Sequence, residues 1–247
     1  MHLRFVAFLC FAVIIATARK LPSYIKICNR NDPEVTTCIK ESYKIVFQHG
    51  VLGIPEMNIR PFNPVIIDKL SIVNGNGQSV NLDAQLNDVK LYGIQDSELA
   101  SVKVDFDIGT FNGEIFTPAV YLESKFGANG KVLLFQFDSN GVFRANLTGV
   151  HSKVSYKFDS YQKKDKKYWK LADSDVDCVI DKFVIDIENL FGDNKELGDT
   201  TNKAINDNID TLYEELKPVI VDTLKTILND AATNVYNLFP FDVLHPE

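Results

Sequence analysis

Between Thr201 and Leu238 the apolar residues Ile205, Ile209, Leu212, Leu216, Val219, Ile220, Leu224, Ile227, Leu228, Ala231, Val235 and Leu238 recur three and four apart, which is one face of a helix. At about 1.5 Å per residue such a helix is a rod of roughly 55 Å, too long to disappear inside an ordinary compact core. Its other side carries Asp207, Asp210, Glu214, Glu215, Asp222, Lys225 and Asp230, so one flank faces solvent. Pro218 lies within the pattern and lacks the N–H of a helix interior, which predicts a kink or a split there.

Upstream, from Val65, the period drops to two. Strands are predicted at Val65 to Val73, Val80 to Ile94, Val102 to Ile108, Glu114 to Phe126, Val132 to Asp138, Val142 to His151, Lys153 to Tyr161, Lys167 to Ala172 and Asp175 to Ile187. Turn chemistry separates several of them: Asn74-Gly75-Asn76-Gly77, Ala128-Asn129-Gly130, Ser139-Asn140-Gly141 and Lys163-Lys164-Asp165-Lys166. Alternation in Val102-Val104-Phe106-Ile108 and Val154-Tyr156-Phe158 gives one dry and one wet face, as in an antiparallel meander. Ahead of the strands, Glu34 to Phe47 reads as a helix, and the prolines of Gly53 to Pro64 demand extended and turn-like backbone. The pattern predicts an α+β fold in which the sheet curls along the C-terminal helix. Such an arrangement encloses an elongated apolar interior.

The N-terminus adds a destination. A basic residue in Met1 to Arg4, the apolar run Phe5 to Ile15 and the small residues Ala16-Thr17-Ala18 make residues 1–18 a signal peptide, leaving residues 19–247 as one secreted domain. No later segment approaches the roughly 20 apolar residues of a transmembrane helix. Loss of Cys10 leaves Cys28 and Cys38, close enough and in the right compartment to form a disulfide, and Cys178 unpaired. A net charge of −7 opposes a nucleic-acid partner. Asn146-Leu147-Thr148 is a glycosylation sequon.

Catalytic chemistry is thin. The exposed G-x-S-x-G elbow, H-E-x-x-H and phosphate-cradling loops do not occur, and of the histidines in the mature chain His49 reads as a helix C-terminal cap, while His151 and His245 sit in no motif. The chain is expected not to be an enzyme and to need no metal or cofactor. Asp173-Ser174-Asp175-Val176-Asp177 mimics the start of a calcium loop, but its aspartates fit the wet side of a strand whose dry side holds Val176, Cys178 and Ile180. The basic cluster Lys163-Lys164-Asp165-Lys166-Lys167, flanked by Tyr161, Tyr168 and Trp169, reads either as a solvated hairpin tip or as a place of transient contact with an anionic membrane.

In their order, the signal peptide, Cys28 and Cys38 around Asp32-Pro33, Gly53-Ile54-Pro55-Glu56, Pro61-Phe62-Asn63-Pro64, the strand Ile66 to Ile72, the long sheet, the long helix and the tail Phe239-Pro240-Phe241 resemble the takeout and juvenile-hormone-binding proteins of insects. The resemblance covers the mature chain. It implies a tubular lipid-binding fold, with a highly curved antiparallel sheet wrapped around the helix and a hydrophobic tunnel inside. It also implies a secreted carrier of a fatty acid, terpenoid or juvenile-hormone-like ligand, in a family connected with circadian output, feeding and courtship. Cys178 without a partner places the chain nearer the takeout branch than the hormone-binding branch, which tends to have a second disulfide. Strand parity gives the expected lining: Leu82, Leu86, Val104, Phe106, Leu122, Phe135, Phe143, Leu147, Val154 and Tyr156, opposed by Ile209, Leu212, Leu216, Ile220 and Leu224. Tyr92, Tyr121 and Tyr156 are candidates for a polar contact to the ligand. A monomer with an unknown receptor completes the expectation. The competing reading is an extracellular interaction or signalling module with a filled core.

Overall fold

The computed structural model describes residues 20–74 and 79–247, so the expected signal peptide and Gly75 to Gly77 of the first turn lie outside it. Helix α1 (Val35–His49) is followed by β1 (Val65–Asn74), β2 (Val80–Tyr92), β3 (Glu98–Asp105), β4 (Thr110–Val132), β5 (Phe135–Lys163) and β6 (Lys166–Ile187), then by α2 (Lys195–Asp207), α3 (Ile209–Leu238) and the short α4 (Phe241–Leu244). All strand pairings are antiparallel, in the order β1-β2-β4-β5-β6. The meander has one variation. β3 pairs with Thr110 to Phe116 of β4 while β2 pairs with Tyr121 to Val132, so β2 and β3 lie end to end along one edge of β4.

Fewer and longer strands form than the turn chemistry predicts. Ala128-Asn129-Gly130 and Ser139-Asn140-Gly141 face each other within β4 and β5, with Ala128 opposite Ser139 and Asn129 opposite Asp138. The hairpin closes instead after Val132↔Phe135, at Leu133-Leu134, with Leu133 at φ +54°. Phe126, Ala128 and Val132 join one buried cluster, and that burial overrides the local turn preference. The expected breaks at Ser152 and around Ala172 are absent. Ser152 pairs with Cys178, and near Ala172 a bulge shifts the register so that Phe158 meets Leu171. The β5–β6 turn at Lys164-Asp165 falls where expected, both residues having positive φ.

A crease runs across the sheet. On β4 the buried positions are Phe111, Gly113 and Thr117, then Val120, Ser124, Phe126, Ala128 and Val132; on β5 they are Ala145, then, past Gly149, Val150, Ser152, Val154, Tyr156 and Phe158; on β6, Val176 and Cys178, then Ile185, with Trp169 across the bulge near Ala172. Parity therefore inverts on all three strands, while pairing continues through Thr117↔Val150 and Val150↔Ile180. Gly149 lies on this line at φ +64°, and a Cβ there would stand 2.1 Å from Asp181 Oδ2. Because the inversion is shared, the apolar side stays turned the same way on both sides of the crease.

The core divides accordingly. One cluster gathers Val80, Leu86, Phe126, Ala145 and Ile185 beyond the crease, a second gathers Phe111, Val154, Phe158, Trp169 and Val176 before it, and Val120, Val150 and Cys178 form a small cluster on it. Helix α3 runs along all three: Leu212 and Leu216 meet the first, Val221 and Leu224 the crease, and Leu224, Leu228, Ala232 and Tyr236 the second.

The long apolar pattern is divided at Asn208, not at Pro218. The Asn208 side-chain amide donates to the Ala204 carbonyl (2.9 Å), which closes α2, whereas Pro218 lies inside an unbroken α3. Pro218 sits on the exposed flank, where water can satisfy the carbonyl that loses its donor. Asparagines of α2 pair with the outer edge of β6. Asn206 Oδ1 accepts from Ile185 N–H (2.9 Å) and its Nδ2 donates to Ile185 O (2.7 Å), and Asn202 does the same to Ile187 at 3.0 and 2.9 Å. These amides complete a strand edge as a neighbouring strand would. Glu215 of α3 accepts from Ser79 N–H (2.9 Å) and Val80 N–H (3.0 Å) at the start of β2, which holds its carboxyl below the usual range. Near the other end, Cys28 and Cys38 are disulfide-bonded and α1 stacks Tyr43 on Phe111.

Two outcomes are expected in urea unfolding. Gly149→Ala should lose about 1–3 kcal/mol from the left-handed backbone, and only the part due to the clash should return in Gly149→Ala/Asp181→Ala. Asn206→Ala, which strands the polar groups of Ile185, should lose about 1–3 kcal/mol.

Candidate functional site

The inner face of α3 is the feature around which a site is built. Leu212 is the single buried residue of this 30-residue helix. Leu216, Ile220, Leu224, Leu228, Ala232 and Tyr236 all keep accessible surface although most of them meet the sheet's buried clusters. Tyr43 of α1 and Tyr236 of α3 are surrounded by protein, yet each retains accessible surface as well.

Most of the expected lining comes together. Leu82, Leu86, Leu122, Phe143, Leu147, Ile209, Leu212 and Leu216 share the cluster beyond the crease, and Val104, Phe106, Val154, Tyr156 and Leu224 that before it. Phe135 and Ile220 are half-buried outside these clusters; Phe135 belongs to the end of the β4–β5 hairpin. Sequence reasoning missed Phe111, whose alternation was available, and Tyr43 and Tyr236, which come from two helices distant in sequence. Trp169, read as an interface aromatic, is only 2% exposed and packs among Phe106, Phe158, Tyr236 and Phe241. The hairpin tip beyond it lacks that indole.

Polar groups concentrate at the aromatic end. Tyr236 Oη and His245 Nε2 are 3.1 Å apart, while His245 Nδ1 is buried without a partner among the described residues. Burial raises the Tyr156 and Tyr236 phenols above their ordinary range and pushes Tyr43 up to about 12, so all three stay protonated donors. Burial, and then the nearby Arg30, lower His245 to about 4, so its ring is neutral near pH 7. Arg30 closes this end by bonding Asp242 (2.9 Å), Glu247 (2.5 Å) and the His245 carbonyl (2.7 Å). Tyr92 and Tyr121 pack against each other with tilted rings, centroids 5.9 Å apart, on strand positions facing away from the core, with the Tyr121 hydroxyl donating to Glu123.

The remaining candidates resolve into local chemistry. His49 ends α1 and stacks on Tyr24 at 4.0 Å, and exposed His151 lies 3.4 Å from Asp181. Asp177 pairs with Lys217 of α3 at 2.9 Å, which lowers its pKa. Cys178 is a buried free thiol whose pKa burial raises. Among the described residues, no group of three or more His, Cys, Asp or Glu side chains is gathered to hold a metal ion. Asn146 is exposed on the face away from α3.

An open, curved antiparallel sheet along a long helix, with apolar surface between them and a polar, aromatic end, defines the class of this α+β protein. The chain matches the family model described as haemolymph juvenile hormone binding protein (JHBP) over residues 5–246, and it belongs to that family. It is 25% identical over 228 residues to the circadian clock-controlled protein daywake of Drosophila melanogaster, covering 90% of this chain and 86% of that one. The daywake protein of Drosophila yakuba is 23% identical over 235 residues, covering 92% and 89% respectively. The crystal structure of Epiphyas postvittana Takeout 1 superposes with a TM-score of 0.78 at 17% identity, over 90% of this chain and all of that one, and so shares the fold.

His245 makes stability depend on pH. Its folded pKa lies below its unfolded value, so the unfolded chain binds more protons between about pH 6.5 and pH 4, and stability falls as pH drops through that window. The loss should be about 3 kcal/mol for a group buried this deeply, read by urea unfolding at stepped pH. His245→Gln should flatten that window and leave the carboxylate-driven loss at lower pH.

Proposed function

We propose that the chain is a secreted carrier that encloses a small hydrophobic ligand between the sheet and α3. The observation that carries this reading is the inner face of α3, apolar, apposed by the sheet and almost nowhere fully buried. A helix packed against a filled core loses nearly all accessible surface on that face, because protein interiors pack as densely as organic crystals. Residual access on an apolar face apposed by a sheet is what a wall bordering unfilled space retains. Membership in the juvenile hormone binding family and the resemblance to takeout proteins support the same reading.

The ligand class is a fatty acid, a terpenoid or a juvenile-hormone-like molecule. Burying about 15 methylenes contributes a gross ~12 kcal/mol, from which immobilisation is subtracted, so submicromolar affinity needs few polar contacts. Tyr156 is the one tyrosine of the three sequence candidates that faces the core, and with Tyr43 and Tyr236 it would meet the polar end of a ligand. The lining named from strand parity, residues 19–247 as one mature domain, secretion after cleavage at Ala18, a monomeric state and a glycan on Asn146 belong to the same proposal. So does circadian expression, suggested by the names of the two fly relatives.

Native mass spectrometry of the protein secreted from insect cells, with organic extraction of the same sample, tests the reading. A stoichiometric lipid-sized adduct lost on denaturation is expected. A bare mass that persists after incubation with fatty acids and terpenoids would favour an interaction module with a filled core.

A further inference from the structure

The end of the β5–β6 hairpin stands apart from the rest of the sheet. Pairing between β4 and β5 stops at Lys157, whereas β5 and β6 pair on from Asp159↔Lys170 to Lys163↔Lys166. Beyond Asp159 the two strands pair only with each other, in a ribbon about 15 Å long at ~3.3 Å per residue. Lys163, Lys164, Lys166, Lys167 and Lys170 lie on it against Asp159 and Asp165, in a chain whose net charge is −7. The lysine ion pairs among the described residues involve Lys26, Lys125, Lys153, Lys203 and Lys217, none of them on the ribbon. The ribbon is therefore a concentrated, unneutralised positive end on an otherwise acidic molecule.

From this geometry we infer that the ribbon docks the protein end-on to anionic phospholipid surfaces. A planar array of negative headgroups matches a short lysine-rich tip that presents charge on both strands. The acidic remainder of the molecule is repelled by the same surface, which fixes the orientation. Tyr161 and Tyr168 stack across the ribbon at 5.7 Å and supply amphipathic rings of the kind that settle at headgroup level. One face of the ribbon rests on α4 at the aromatic end of the core: Lys167 Nζ, one pair from the tip, lies 4.5 Å from the Phe241 ring centroid, and Trp169, nearer the base, packs against Phe241 at 4.6 Å. Docking thus brings α4 and the aromatic end of the interior toward the lipid. That this serves ligand exchange rests on the carrier reading; the docking itself does not.

Co-sedimentation of the ligand-free secreted chain with phosphatidylcholine vesicles, with and without phosphatidylserine, tests the docking, while uptake of a fluorescent fatty acid is measured separately without vesicles. Binding is expected only with phosphatidylserine and should weaken as salt rises. At roughly fivefold per lysine, Lys163→Gln/Lys164→Gln/Lys166→Gln should bind about 100-fold more weakly, and the corresponding arginine variant should bind like the parent. Equal binding to neutral vesicles overturns the proposal, as does a glutamine variant that binds like the parent. Tighter binding to soluble polyglutamate than to phosphatidylserine vesicles at matched charge also overturns it, in favour of an acidic protein partner. Vesicle binding without fatty-acid uptake would leave docking standing and remove the carrier reading.

Discussion

The structure depends on keeping one apolar side of a very long sheet turned toward one helix. A strand of 29 residues such as β5 cannot follow a helix without bending, and a bend made by breaking the alternation in one strand alone throws its side chains to the wrong face. The shared inversion at the crease solves this, because β4, β5 and β6 change parity together and their hydrogen-bonded register continues. Gly149 supplies the left-handed backbone on that line. The three clusters that α3 visits in turn follow from this single device, as does any space the helix leaves unfilled.

The two ends of the assembly are secured by different chemistry. Beyond the crease, side-chain amides of Asn202 and Asn206 and the carboxylate of Glu215 tie α2 and α3 to strand backbone. Before it, the disulfide-bonded N-terminal segment holds the C-terminal tail through Arg30, over an aromatic cluster that includes Phe158, Trp169, Tyr236 and His245. The first end is held by groups whose partners are fixed backbone. The second closes on a neutral imidazole and protonated phenols, so polar groups collect at one end of an apolar interior.

Much of this was legible in the sequence because periodicity and parity are local. The reading split β5 at Ser152, near the crease, and so turned both Leu147 and Val154 inward although their parities are opposite. What escaped it was set by tertiary context. The turn at Leu133-Leu134 has no turn residues and was hidden by the Asn and Gly of its flanks, which burial of Phe126 and Val132 keeps in strands. The break at Asn208 depends on one side-chain cap, whereas Pro218 advertises a break that the exposed flank of α3 does not need. Tyr43 and Tyr236 join the aromatic cluster from α1 and α3, one against Phe111 and the other against Phe158, and no spacing along the chain records that.

The central claim is that α3 borders unfilled space, and the most direct measurement is on Leu224, where the crease cluster meets the aromatic one. Leu224→Trp should abolish uptake of a fluorescent fatty acid while leaving the urea midpoint nearly unchanged, because the indole enters room a ligand would occupy. A loss of about 1–3 kcal/mol, as overpacking imposes on a filled core, in a parent protein that takes up no fatty acid, would contradict the account.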